Sequence, residues 1–249
     1  MTQFLLKLIA MLAMLTDHAV KTVIKTGTLS AWVGMETERM IRIAMLVIGR
    51  MAFPIFAWFA AEGCRKTSDP KRHLIRLLVF SVLSEVPFQL CFHGTLKPGA
   101  TNVIFTMLLS ALAIHSAPLL ERYLPKTAAR ILPSVLAVAL GWVLQTDYNA
   151  WGVALVIGLY YLPDRKRRIL YLFTWVTVFQ LIWHGWSKGT CLWLTPGGQL
   201  LLPLYYLGCL AAVALLCCYN GERGPKARWL FYLFYPVHLL VLYLIQLQS

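Results

Sequence analysis

Apolar residues gather in runs near twenty positions long, divided by brief polar connectors. A helix of about 20 residues, rising about 1.5 Å per residue, crosses about 30 Å of hydrocarbon. Nine such spans can be drawn, over about 4–24, 40–63, 74–92, 102–120, 130–146, 151–162, 168–186, 199–217 and 228–247. The sixth is short, which suits a half-span or a re-entrant piece as well as a full crossing. Turn formers mark the connectors: Ser68-Asp69-Pro70, Lys97-Pro98-Gly99, Pro163-Asp164 and Pro196-Gly197-Gly198. Backbone groups in lipid must be satisfied within their own segment, so the spans are predicted as helices. The pattern predicts an all-α protein, a polytopic transmembrane helix bundle of about 8–10 spans. Residues 1–249 are expected to form a single integral-membrane domain.

Composition agrees with the pattern. Of 249 residues, 59% are hydrophobic and 13% charged, about half the charged share of a soluble domain, whose surface must be hydrated. The formal charge of +13 invites a nucleic-acid reading, and the position of the charge argues against it. Segments 64–73, 121–130, 163–168 and 219–228 hold fourteen Lys and Arg residues, whereas the alternate connectors hold only Lys25, Arg39, Lys97 and Lys188. Basic residues concentrate in cytoplasmic loops. The asymmetry therefore predicts a cytoplasmic N-terminus and an outer C-terminus, and no nucleic-acid partner is needed.

The first apolar run is too long for a signal peptide, and Asp17-His18 interrupts it without a clean cleavage site. It is read as a helix of the mature protein. The six cysteines show no CxxC or Cys/His ligand spacing, so no metal site is expected. Cys91 and Cys191 both fall near the predicted outer face, where a disulfide could form.

Ionisable groups inside a membrane are costly and mark sites or pathways. Here they are Asp17 and His18 in the first span, Arg50 in the second, Glu85 in the third and His238 in the ninth. Glu62 and Arg76 sit near inner helix ends, Asn102 and Asp147 near outer ones. With the predicted topology, Asp17, His18, Arg50, Glu85, Asn102 and Asp147 share one depth zone. They serve either as a polar cluster that glues helices together or as a site. A neutral imidazole is the natural general base near neutral pH, which singles out His18. Asp17, its neighbour, points about 100° away and is better spaced for Lys21, four residues on. The carboxylate orienting His18 is expected from another helix, with Glu85 or Asp147 as candidates. Pro54, Pro87 and Pro236 free the carbonyls of Arg50, Leu83 and Tyr232 and predict kinks beside these groups. Arg65, Lys66, Arg72 and Arg76 cluster around an inner connector. They suit the phosphates of a cytosolic cofactor, anionic lipid, or plain positive-inside charge.

At this level of detail the chain resembles the TraX family of membrane acetyltransferases. The similar stretches are Leu6-Lys7-Leu8-Ile9-Ala10 on to Thr16-Asp17-His18, then Ile48-Gly49-Arg50-Met51-Ala52-Phe53-Pro54-Ile55-Phe56, Glu62-Gly63 and Ser84-Glu85-Val86-Pro87-Phe88. Further on come Asn102-Val103-Ile104-Phe105-Thr106, Asp147-Tyr148 before Trp151-Gly152-Val153, Tyr219-Asn220-Gly221, and Phe231-Tyr232-Leu233-Phe234-Tyr235-Pro236-Val237-His238. The family is associated with acetylation of a pilin amino terminus during conjugative transfer. It also looks distantly like membrane acyltransferases of surface sugars, which carry an Arg, ten residues and a His in their first span. Here Lys7 stands ten residues before His18, and Lys offers a point charge where Arg offers a fork.

The resemblance implies an acetyltransferase of the bacterial inner membrane, with acetyl-CoA as donor. Arg65, Lys66, Arg72 and Arg76 would hold its phosphates. His18 would act as base or take the acetyl group itself, with Asp17, Arg50 and Glu85 as the other catalytic candidates. Asn102, Asp147, Tyr235 and His238 would contact the acceptor, a pilin-like peptide or a surface glycan. Two other classes compete. A small-solute transporter also suits broken helices and midplane charges, and would transport without consuming acyl-CoA. A non-catalytic assembly factor would bind a pilin-like subunit whether or not His18 is intact.

Overall fold

The computed structural model describes residues 1–24, 27–96, 100–179 and 198–248. Among them the chain is helical, without strands. In chain order the helices are α1 (Gln3–Thr22), α2 (Ser30–Val33), α3 (Met35–Gly49), α4 (Ala52–Lys66), α5 (Pro70–His93) and α6 (Val103–Leu120). They continue with α7 (Lys126–Val143), α8 (Asn149–Tyr161), α9 (Arg165–Val178), α10 (Gly198–Cys217) and α11 (Arg228–Gln246). Local chemistry explains several ends. Asp69 caps α5 by accepting from Arg72 N at 2.9 Å, with Pro70 in the first turn where its missing N–H costs nothing. Asn102 caps α6 by accepting from Ile104 N at 3.0 Å.

Six segments are long and apolar enough to cross a bilayer: Gln3–Thr22, Met35–Lys66, Pro70–His93, Val103–Leu120, Lys126–Val143 and Trp229–Gln246. These six correspond to the expected crossings 4–24, 40–63, 74–92, 102–120, 130–146 and 228–247. Asn149–Tyr161 is apolar and shorter, as the sixth run is in the sequence, and α10 covers the expected 199–217 span with 20 residues. The expected 168–186 span runs past residue 179, outside the described residues. Outward faces are greasy: on α5, Ile75, Leu78, Val79, Val82, Leu83 and Val86 are all exposed. Three- and four-residue spacing puts them on one stripe, which water would not tolerate and lipid does. This is a multi-pass membrane protein.

The expected kink near Pro54 is a break. Met35–Lys66 covers 32 residues, yet it divides into α3 and α4 at Arg50-Met51. The Arg50 carbonyl, deprived of a partner by Pro54, accepts from Cys209 Sγ at 3.8 Å.

By contacts the chain forms two compact units, Met1–Phe56 with Ile169–Ser249, and Ala57–Arg168. In the first, α1 packs on α3 and α11, and α10 packs on α3. Its amino end is tied to the connector before α11: Gln3 N donates to Glu222 O at 2.8 Å, Phe4 N to Arg223 O at 3.1 Å, and Asn220 N to Met1 O at 2.9 Å. In the second, α6 packs on α5, α7 and α8, with Ser110, Ala111, Ala113 and Ala117 buried along it. Small residues let membrane helices approach closely.

Candidate functional site

Two histidines far apart in sequence meet in the first unit. His18 on α1 and His238 on α11 are 8% and 5% exposed. His18 Nδ1 lies 2.8 Å from His238 Nε2, and the two rings are near parallel, 15° apart, with centroids at 5.0 Å. His238 Nδ1 lies 2.8 Å from the Phe234 carbonyl. A carbonyl only accepts, so Nδ1–H donates and, with neutral rings, His238 Nε2 carries the lone pair. That lone pair accepts from His18 Nδ1–H, which puts the basic nitrogen of His18 at Nε2. Phe234 stacks on His238 at 4.5 Å, and buried Tyr235 sits edge-on to both imidazoles, at 6.4 Å and 5.5 Å. A carboxylate was expected to orient His18. At Nδ1 the partner is instead a second imidazole, from a residue that sequence reasoning assigned to the acceptor.

Asp17 is buried beside His18 in the chain and faces elsewhere. Lys21, one turn on, donates to Asp17 Oδ2, as the four-residue spacing predicted. Arg50 Nη2 stands 4.0 Å from Asp17 Oδ1, with its guanidinium 4.9 Å over the Tyr205 ring. The close pairing of α1 with α3 depends on Gly49, where a Cβ would fall 2.7 Å from Asp17 Oδ1. Likewise α10 meets α3 at Gly208, where a Cβ would lie 2.9 Å from Arg50 Cβ. Arg50 is thus held between three helices at the α3–α4 break.

Glu85, Asn102 and Asp147 belong to the second unit. Glu85 Oε2 accepts from Asn102 Nδ2 at 2.7 Å and Asn102 N at 3.2 Å. Glu85 Oε1 accepts from Gln89 Nε2 at 2.7 Å, and Gln89 Nε2 also donates to Ala100 O. Asn102 Nδ2 donates as well to Ser81 O at 2.8 Å. The carboxylate and the amide therefore latch the start of α6 onto α5. Asp147 is exposed, in the turn between α7 and α8, where Gln145 and Asn149 take positive φ.

The basic cluster of Arg65, Lys66, Arg72 and Arg76 is largely engaged within its own unit. Arg65 donates to the carbonyls of Leu159 (3.1 Å), Tyr160 and Leu162, closing the C-terminus of α8. Lys66 pairs with Glu62 at 2.6 Å, and Arg72 with its capping Asp69 at 3.1 Å. Arg76 is half-buried, and its Nε has no hydrogen bond among the described residues. A cavity of about 280 Å³ is lined by Arg65, Glu121, Arg130, Tyr160 and Tyr161. That is below the ~300–1,000 Å³ that encloses drug-sized ligands.

One grouping was missed in the sequence. Cys64 on α4, His73 on α5 and His115 on α6 bring one ligand atom each to within 4.8 Å of one another. No local spacing signals it, because three different helices supply the ligands. Cys191, which with Cys91 was a candidate for a disulfide, lies outside the described residues.

A family model described as TraX protein matches residues 3–246. The chain belongs to the TraX family. The match takes in both units and every candidate above. This TraX chain is similar to a probable fimbrial assembly protein, FimC, of Dichelobacter nodosus. The two are 28% identical over 261 residues, covering 96% of this chain and 93% of that one. No solved structure matches it.

Proposed function

We propose that this TraX protein is an acetyltransferase of the bacterial inner membrane. In this reading it moves an acetyl group from cytoplasmic acetyl-CoA to an amine or hydroxyl at the outer side, the amino terminus of a pilin-like subunit above all. The observation that carries the reading is the His18–His238 pair. His18 is buried and backed by a second imidazole and a carbonyl that orient it; with both rings neutral, this chain leaves the basic nitrogen of His18 at Nε2. His18 Nε2 takes the proton of the acceptor N–H or O–H as the heteroatom bonds to the acetyl carbonyl carbon. The C–S bond then breaks, and His18 returns the proton to the departing sulfur. His238 stabilises the transient imidazolium through the hydrogen bond at Nδ1. Arg50 supplies the positive charge for the tetrahedral oxyanion. Of the four basic candidates Arg76 is the best fit to the donor phosphates, since Arg65, Lys66 and Arg72 already engage nearby carbonyls, Glu62 and Asp69.

The relative's name, a fimbrial assembly protein, supports a pilin-like acceptor. It favours equally the second reading, a non-catalytic assembly factor. Membranes carrying the chain, labelled acetyl-CoA and a pilin-like peptide decide between them. Label on the peptide, lost in His18→Ala at equal protein level, is the expected outcome. Label undiminished in that variant eliminates His18 as the base. No label on any acceptor, with the subunit still co-purifying, favours the assembly factor.

A further inference from the structure

We propose that Cys64, His73 and His115 form a binding site for one soft or borderline d10 cation, Zn²⁺ or Cu⁺. The three residues come from the last turn of α4, the first turns of α5 and the last turns of α6, all within the unit Ala57–Arg168. Their ligand atoms already converge to within 4.8 Å. His73 Nδ1 and His115 Nε2 are 3.3 Å apart. Two nitrogens bound at about 2.0–2.1 Å to a tetrahedral ion stand about 3.3 Å from each other. The imidazole pair is therefore already spaced as a ligand pair, and only the thiol has to close in.

The chemistry selects the metal class. A thiolate and two imidazoles suit Zn²⁺ and Cu⁺, and do not suit Mg²⁺ or Ca²⁺, which need oxygen donors. Glu62, two residues before Cys64, is engaged by Lys66 at 2.6 Å and Arg168 at 3.5 Å. Cys64 and His73 are buried, while His115 is half-buried and gives the ion an entry side. On binding, the Cys64 thiol releases its proton to solvent as the sulfur–metal bond forms. The proton between the facing nitrogens of His73 and His115 passes to the far nitrogen of its own ring, so both facing nitrogens donate to the metal. Three donors leave one tetrahedral position for water or a further ligand. The bound ion would clamp α4, α5 and α6 together.

The test uses the full chain in detergent, stripped with a chelator, then equilibrated with Zn²⁺ alone and, under reducing conditions, with Cu⁺ alone. The expected result is one ion per chain in at least one arm, with the arms distinguishing the two metals. Cys64→Ser, His73→Gln and His115→Gln should each weaken binding by at least about tenfold, whereas Cys218→Ser and His93→Gln should not. Co²⁺ should add a thiolate-to-metal charge-transfer band that Cys64→Ser abolishes. Should the variants fail to fold, alkylation of Cys64 in the wild-type chain decides: the ion should slow it at least about tenfold. Equal binding by all variants, or unprotected Cys64 in both arms, overturns the site.

Discussion

Asp17 on α1 and Gly49 on α3 are so close that a methyl group on Gly49 would lie 2.7 Å from Asp17 Oδ1. The Asp17–Arg50 pair exists because the helix ends in a residue without a side chain. Gly49→Ala should lower stability by about 1–3 kcal/mol, the usual cost of overpacking, read as a lower melting temperature in detergent. Gly63→Ala is the control. There the new Cβ meets the His73 ring at an ordinary 3.8 Å, and Ala inside a helix should be neutral or stabilise by about 0.5–1 kcal/mol.

The tautomer chain from Phe234 through His238 to His18 makes a kinetic prediction. Under the proposed chemistry, His18→Ala should reduce acetyl transfer by about 10²–10⁴-fold. His238→Leu should reduce kcat by a smaller factor, at least about tenfold, and leave the KM for acetyl-CoA unchanged, since it acts through His18. A parallel fall in melting temperature and kcat across several His238 variants would mark a purely structural role.

For Asn102→Ala the expectation is a stability defect. The substitution removes the cap of α6 and takes from Glu85 its side-chain donor Asn102 Nδ2, which should cost about 1–3 kcal/mol. Residual acetylation per folded molecule should be near that of the wild type. A specific loss of kcat at unchanged melting temperature would return Asn102 to the acceptor or the oxyanion.

Much of this was legible in the sequence because its signals are local. Apolar runs of helical length, the i,i+4 match of Asp17 with Lys21, and Pro54 breaking the helix at Arg50 all act over one or two turns. The partner of His18 was not legible: His238 is 220 positions away, and only packing of α1 on α11 joins them. The same holds for Cys64, His73 and His115, which share no helix. The basic cluster illustrates a different limit. Charge alone left cofactor phosphate, anionic lipid and plain positive-inside charge open for Arg65, whereas the carbonyls of Leu159, Tyr160 and Leu162 occupy it. Nothing in the composition of a connector reveals that a distant helix end needs closing.

Arg65 and Arg76 should therefore separate cleanly. Arg65→Lys should lower the melting temperature, because a single ammonium cannot span the carbonyls that the guanidinium reaches. Arg76→Gln should leave stability nearly unchanged and raise the KM for acetyl-CoA, with kcat preserved. An unaltered KM in this variant would remove Arg76 from donor binding.

The tie between the first residues and the connector before α11 sets the vertical registry of the two histidine-bearing helices. Residue 18 stands about 21 Å along α1 from that tie, at about 1.5 Å per residue. A slip of one helical turn there would carry the imidazoles about 5.4 Å out of step. Gly224 keeps the registry, since its φ of 71° and the Thr2 Oγ1 that a Cβ would meet at 2.9 Å admit no larger residue. A change at one end of the bundle, remote from any reacting atom, would thereby detune the histidine pair.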